Sequence, residues 1–272
     1  MNPYLIIIIL SVVEGITEFL PISSTGHMIL VERFINSSYF SKTFMDSFLV
    51  IVQLGAILAV LIYFWNEITP FIRDKTLLIK RFILYLKLAV AMIPAVIIGL
   101  AFEDIISAYF MDNVYIVAAT LIFYGVLFII IEKIFKNRYS KINEIGNLSF
   151  IKAFLIGIFQ CLAMVPGTSR SGATIIGGLL LGLSKSLAAE FSFLLAIPTM
   201  FGATFLKLIK NGVGFTGIEW VFMGIGVTIS FIIAYIAIKW FMDYIKRKSF
   251  EVFGIYRIIL GVLVFGIMFI SR

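Results

Sequence analysis

The chain alternates between apolar runs and short polar clusters, and the runs are of two kinds. Those at about 44–65, 82–102, 113–132, 187–207, 218–238 and 250–270 each approach the roughly 20 residues a helix needs to cross a bilayer. The runs at about 4–20, 22–32, 149–165 and 171–184 are shorter or carry polar residues, and they fall into two pairs, each split by a proline and a cluster of hydroxyls. This pattern predicts an all-α polytopic membrane protein.

Composition agrees and excludes the soluble classes. Of 272 residues 61% are hydrophobic and 14% charged, with a mean hydropathy of +1.10, outside the range of a soluble domain of this length. A net charge of +7 would suit nucleic acid in a soluble protein; here no nucleic-acid partner is expected, because in a membrane protein the basic residues report topology. Arg73, Lys75, Lys80 and Arg81 form one basic loop, Lys133, Lys136, Arg138 and Lys141 a second, and Lys239, Lys246, Arg247 and Lys248 a third, all expected in the cytoplasm. The stretch holding Glu103, Asp104 and Asp112, and the 211–219 loop, are expected outside. For the spans to alternate, residues 149–185 must enter and leave on one side, and 4–32 must do the same from the other. The amino terminus lacks the basic region of a removable signal peptide, so the first apolar run is expected to stay. Cys161, alone, excludes an intrachain disulfide and is read as a small buried apolar residue.

The two halves also resemble each other. Gly15-Ile16-x-Glu18-x-Leu20 recurs as Gly157-Ile158-x-Gln160-x-Leu162, and Pro21-Ile-Ser-Ser-Thr-Gly26 is matched by Pro166-Gly-Thr-Ser-Arg-Ser-Gly172. Each half, about 1–135 and 149–272, reads as a re-entrant helical hairpin plus three transmembrane helices. Three is odd, so the second copy is inverted relative to the first, an architecture that puts broken helices and polar groups near the bilayer midplane.

The chemistry concentrates at these breaks. Glu14 and Glu18 are four apart, so they share a helix face. In a poor dielectric they repel unless one takes a proton or a cation lies between them, which makes them candidate ligands of a divalent metal. Ser24, Thr25, Gly26 and His27, the chain's single histidine, follow Pro21. In the second break Gly167, Thr168, Ser169, Ser171 and Gly172 offer hydroxyls and close backbone approach, and Arg170 a planar fork suited to phosphate oxygens. Plainer roles compete: Arg170 pairing with Glu18, Ser23 capping the next helix, and Ser11 and Thr17 bonding the preceding turn. Carboxylates for a cation with Arg and donors for an anion suit phosphoryl transfer.

On these residues, Glu14-Gly-Ile-Thr-Glu18-Phe-Leu-Pro-Ile-Ser-Ser-Thr-Gly-His27 and Pro166-Gly-Thr-Ser-Arg-Ser-Gly172, the chain resembles the bacterial undecaprenyl-pyrophosphate phosphatase family of the bacitracin-resistance type. The resemblance implies hydrolysis of a C55 isoprenyl pyrophosphate to its monophosphate and inorganic phosphate in the bacterial plasma membrane, recycling the cell-wall lipid carrier. It also implies dependence on a divalent metal, Mg²⁺ or Ca²⁺, and a site opening outward. Carried over, Glu14 and Glu18 would support the metal or a proton network, Arg170 would hold the pyrophosphate, and Thr25, Ser169 and Thr174 would line it. Ser24 is expected as nucleophile with His27 as its base; the rival has His27 attack directly. A second membrane phosphatase superfamily uses two histidines and is excluded by the single one here. A polyprenyl-phosphate transporter or flippase on the same inverted-repeat scaffold is the alternative function, and a homodimer is compatible with either.

Overall fold

The computed structural model describes residues 2–35, 39–106, 113–135, 140–211 and 214–270. Among them the regular structure is helical: α1 (Pro3–Thr17), α2 (Ser24–Phe34), α3 (Lys42–Tyr63), α4 (Trp65–Ile68), α5 (Lys75–Ile106), α6 (Val114–Phe135), α7 (Phe150–Cys161), α8 (Arg170–Leu180), α9 (Lys185–Asn211), α10 (Gly217–Ile245) and α11 (Glu251–Ile270). Six of these, α3, α5, α6, α9, α10 and α11, are long and apolar enough to cross a membrane. This is a multi-pass membrane protein.

The helices begin where the chain supplies caps. Asn2 accepts from the Tyr4 amide with Pro3 behind it, Ser41 accepts from Phe44, Ser149 from Lys152, and Thr216 and Glu219 form a capping box, each satisfying amides that a helix start leaves open. Among the long helices α5 and α10 exceed their predicted lengths most. α5 begins at Lys75 rather than near 82, because Asp74 accepts from the Thr76 and Leu77 amides and the basic residues that follow are good helix formers. α10 continues to Ile245, taking Lys239 from the expected loop into the helix. Glu103 and Asp104 fall within α5, whereas Asp112, Lys136 and Arg138 lie outside the described residues.

α3 runs through the middle, packed on α10 and α9; α1 lies on α10, α5 on α7, α6 on α11 and α8 on α9. Small residues set several of these crossings, as expected where helices meet in lipid. A Cβ on Gly125 of α6 would stand 2.7 Å from the Gly254 carbonyl oxygen of α11, and one on Gly254 would stand 2.7 Å from the Gly125 carbonyl oxygen. A core of Phe19, Phe191, Phe193, Phe241 and Phe250 fills the interior, while Ile97, Leu100, Ile236 and Val262 face outward, the arrangement a lipid solvent permits. Lys87 of α5 is buried, and its ammonium donates to the carbonyls of Ile145 (2.9 Å) and Gly146 (3.0 Å), fastening the turn that precedes α7.

Candidate active site

α1 ends at Thr17 and α7 at Cys161, and each is followed by irregular backbone leading into a short helix. The two breaks share a local geometry. Ser23 has φ 73° and Ser169 φ 70°, and among the described residues they are the two non-glycine positions with positive φ. Each serine hydroxyl accepts from the amide three residues on, Gly26 for Ser23 (3.3 Å) and Gly172 for Ser169 (3.2 Å). A left-handed non-glycine residue costs on the order of 1–3 kcal/mol and persists where its surroundings impose it; here the cap bond is part of that imposition. The residues immediately after the strained serines are Ser24 and Arg170.

Those two meet at Glu18. Ser24 Oγ donates to Glu18 Oε2 at 2.8 Å, and Arg170 Nη2 lies 3.1 Å from Glu18 Oε1. Arg170 Nη1 donates to the Ser192 carbonyl at 3.2 Å, and the guanidinium sits 5.2 Å from the centre of the Phe19 ring. Its Nε is buried and has no hydrogen-bond partner, and Nη2 also lies 3.0 Å from Met200 Sδ. The three side chains open onto a pocket of about 160 Å³ lined also by Ser23, Thr25, Gln53, Ala163, Gly167 and Ser169. Glu14 is buried one helical turn before Glu18, within electrostatic reach of both Glu18 and Arg170, and its Oε1 has no hydrogen-bond partner.

The other residues singled out in the sequence take supporting positions. Ser171 is fully buried and bonds Ser169 Oγ and the Leu20 carbonyl, each at 3.1 Å, which ties the second break to the first. Thr174 is buried and bonds the Arg170 carbonyl (2.9 Å) and Ser192 Oγ (2.6 Å). Thr168 is buried. Gly167, at φ +86°, leaves no room for a Cβ against Thr120 and Val117, and Gly26 sits against Leu121. Ser11 and Thr17 bond the preceding turn at 2.6 and 2.7 Å.

The expected Ser24–His27 hydrogen bond is not formed. His27 Nδ1 lies 2.7 Å from the Ser23 carbonyl, and Nε2 lies 2.6 Å from the Tyr256 hydroxyl, with the two rings stacked 5.5 Å apart. Both imidazole nitrogens are therefore engaged, one with the backbone behind it and one with α11. Ser24, at the start of α2, reaches back to Glu18 instead. His27 does not line the pocket.

Three residues at or beside the site escaped the sequence reading: Gln53 of α3, and Tyr256 and Arg257 of α11. Each is a polar group inside an otherwise apolar span, which was the available signal.

The chain matches the family described as "Bacitracin resistance protein BacA" over residues 7–263. It is 60% identical over 265 residues to the undecaprenyl-diphosphatase of Fusobacterium nucleatum, covering 97% of this chain and all of that relative. The undecaprenyl-diphosphatase 1 of Clostridioides difficile is 50% identical, with 97% and 95% covered, and that of Desulfitobacterium hafniense 51%, with 94% and 93% covered. The match runs from within α1 through both breaks to within α11, so the chain belongs to the bacitracin resistance protein BacA family.

Proposed function

We propose that the chain is an undecaprenyl-diphosphatase, hydrolysing a C55 isoprenyl pyrophosphate to its monophosphate and inorganic phosphate and so recycling a cell-wall lipid carrier, an activity that confers bacitracin resistance. The observation that carries this reading is the Ser24–Glu18–Arg170 constellation on the wall of the pocket: a hydroxyl already donating to a carboxylate, beside a guanidinium with a free buried donor. The names of full-length relatives at 50–60% identity support the same substrate.

In the proposed reaction Arg170, with Ser169 and Thr25 around the pocket, holds the pyrophosphate oxygens. Ser24 Oγ attacks the terminal phosphorus while its proton passes to Glu18 Oε2. The bond from that phosphorus to the bridging oxygen breaks, and the lipid monophosphate departs with the bond's electron pair, taking the proton from Glu18. Glu18, ionised again, takes a proton from water attacking the phosphoserine and returns it to Ser24 Oγ as inorganic phosphate leaves. Orienting the nucleophile and neutralising charge are the main work in phosphoryl transfer. His27, held by Tyr256, orients the first turn of α2 in this scheme.

The donor chemistry fits a hard divalent cation: Glu14 has an orphaned buried oxygen one helical turn before Glu18, and Glu18 and Gln53 bring carboxylate and amide oxygens to the pocket wall, the ligand type Mg²⁺ and Ca²⁺ take. Glu14 and Glu18 would hold it, and when bound it would neutralise negative charge on the pyrophosphate. Among the described residues no group of three or more His, Cys, Asp or Glu side chains converges on one point, so substrate oxygens would complete the shell.

The scaffold we propose is an inverted repeat in the plasma membrane, α1–α2 with α3, α5 and α6 against α7–α8 with α9, α10 and α11, the short pairs re-entrant and the site opening outward. The paired left-handed serines support it, as does length: α2 and α8 have 11 residues each, about 16 Å of helix against a hydrocarbon core of about 30 Å.

The test is phosphate release by detergent-purified protein from a long-chain isoprenyl pyrophosphate, with and without chelator. Release that stops with chelator and in Ser24→Ala and Arg170→Ala variants is the expected result. Folded wild type that moves the lipid between leaflets of a vesicle but releases no phosphate with any added metal would overturn it in favour of a transporter.

A further inference from the structure

Arg257 lies in the second turn of α11 and is completely buried. A buried cation normally has a carboxylate beside it; the ion pairs of the described residues join Glu18 to Arg170, Glu132 to Lys185 and Asp243 to Lys246, and none of them includes Arg257. Its guanidinium instead donates through Nη1 to the Pro21 carbonyl at 3.2 Å and through Nη2 to the Gly167 carbonyl at 2.8 Å, and it faces the Tyr124 ring 5.6 Å from the centre.

The two carbonyls occupy equivalent places. Pro21 stands two residues before Ser23, and Gly167 two residues before Ser169. One planar fork thus grips the same position of both breaks, and the residue three beyond each grip is Ser24 in one loop and Arg170 in the other. Arg257 itself is not in the wall of the pocket, so it acts through the backbones it holds. An ammonium could not replace it without moving a loop: two nitrogens of a rigid fork reach two separate chains, whereas a lysine offers a single point. Other bonds cross between the loops, Ser171 to Leu20 and Arg170 to Glu18, but the second of these consists of the reacting groups themselves and must rearrange as substrate arrives. The grip of Arg257 involves no group that reacts.

We infer that Arg257 is a positioning residue of the phosphatase reaction, a clasp from α11 that fixes the spacing between the Ser24 loop and the Arg170 loop. The inference rests on the phosphatase reading above. Its consequence is kinetic: loosening the clasp misplaces nucleophile and phosphate holder relative to each other while leaving every residue of the pocket wall unchanged.

The experiment measures kcat and KM for phosphate release by Arg257→Lys, which keeps the charge and loses the fork, beside wild type, Arg170→Lys and the double variant, all normalised to monodisperse folded protein. The expected result is a kcat lowered about 10- to 100-fold, the scale of an ångström-level misplacement, with KM changed less than about threefold. The double variant should lose much less than the product of the two single losses, since both changes act on the same geometry. A merely structural arginine would lower the folded yield but leave kcat per folded molecule at the wild-type value, and that result, or losses that multiply in full, would overturn the inference. If Arg257→Lys does not fold, Gly254→Ala serves: its Cβ would press α11 away from α6, shifting the arginine with its fork intact, and a folded variant with wild-type kcat would equally overturn it. Absence of phosphate release by the wild type would instead dispose of the phosphatase reading.

Discussion

Ser24 and Arg170 each follow a left-handed serine and converge on one carboxylate, the contact from which the proposed mechanism takes Glu18 as acceptor of the nucleophile's proton. Quenching the protein during turnover of a substrate labelled in its terminal phosphate should trap label on Ser24 and none on His27. Glu18→Gln should lower turnover by about 10²- to 10⁴-fold, the usual contribution of a positioned base, and His27→Ala should cost less, because the imidazole bonds Ser23 and Tyr256 rather than the reacting hydroxyl. Label on His27 would reverse the assignment. The acidic and hydroxyl residues of this site were legible in the sequence because polar groups inside apolar runs stand out and because both breaks carry proline, hydroxyls and glycine. The partner of Ser24 was not. Residues 24 and 27 satisfy a helical contact rule on paper, but the rule is silent on which side chain points back past the helix start. Arg257 was visible as a cation within a span, yet what it grips lies 90 residues away in one loop and 236 in the other, a distance no local pattern encodes.

At the scale of helices, close crossings fix where those loops can sit. On Gly55 of α3 a Cβ would fall within the van der Waals envelope of the Val227 carbonyl of α10, so the backbones touch. Gly55→Leu should therefore force the central pair apart, costing about 1–3 kcal/mol or more as overpacking does, and appear as a lowered thermal midpoint in detergent. An unchanged midpoint would mean that α3 and α10 slide freely. The number and order of the long helices could be read from hydropathy, since every span has an apolar run of the right length. Their ends could not: α5 gains its first turns from Asp74 and a basic stretch that hydropathy assigns to a loop, and α4 is too short to leave a periodic signal.

For the molecule as a whole the question is which side the pocket faces. In a Cys161→Ala background, single cysteines at Thr25 and Ala163, both in the pocket wall, should react in intact cells with a membrane-impermeant maleimide added outside. Labelling confined to inverted vesicles would turn the molecule over. The ion pair between Glu18 and Arg170 has a bearing on what such a pocket admits. Glu18 and Arg170 already satisfy each other as a partly buried pair, so under the proposed mechanism an arriving headgroup would enter by exchange, displacing the carboxylate from the guanidinium. Neutral prenols have nothing to exchange. A monophosphate brings less charge than the pyrophosphate it came from, so under the proposed mechanism it would compete less well with Glu18 for Arg170.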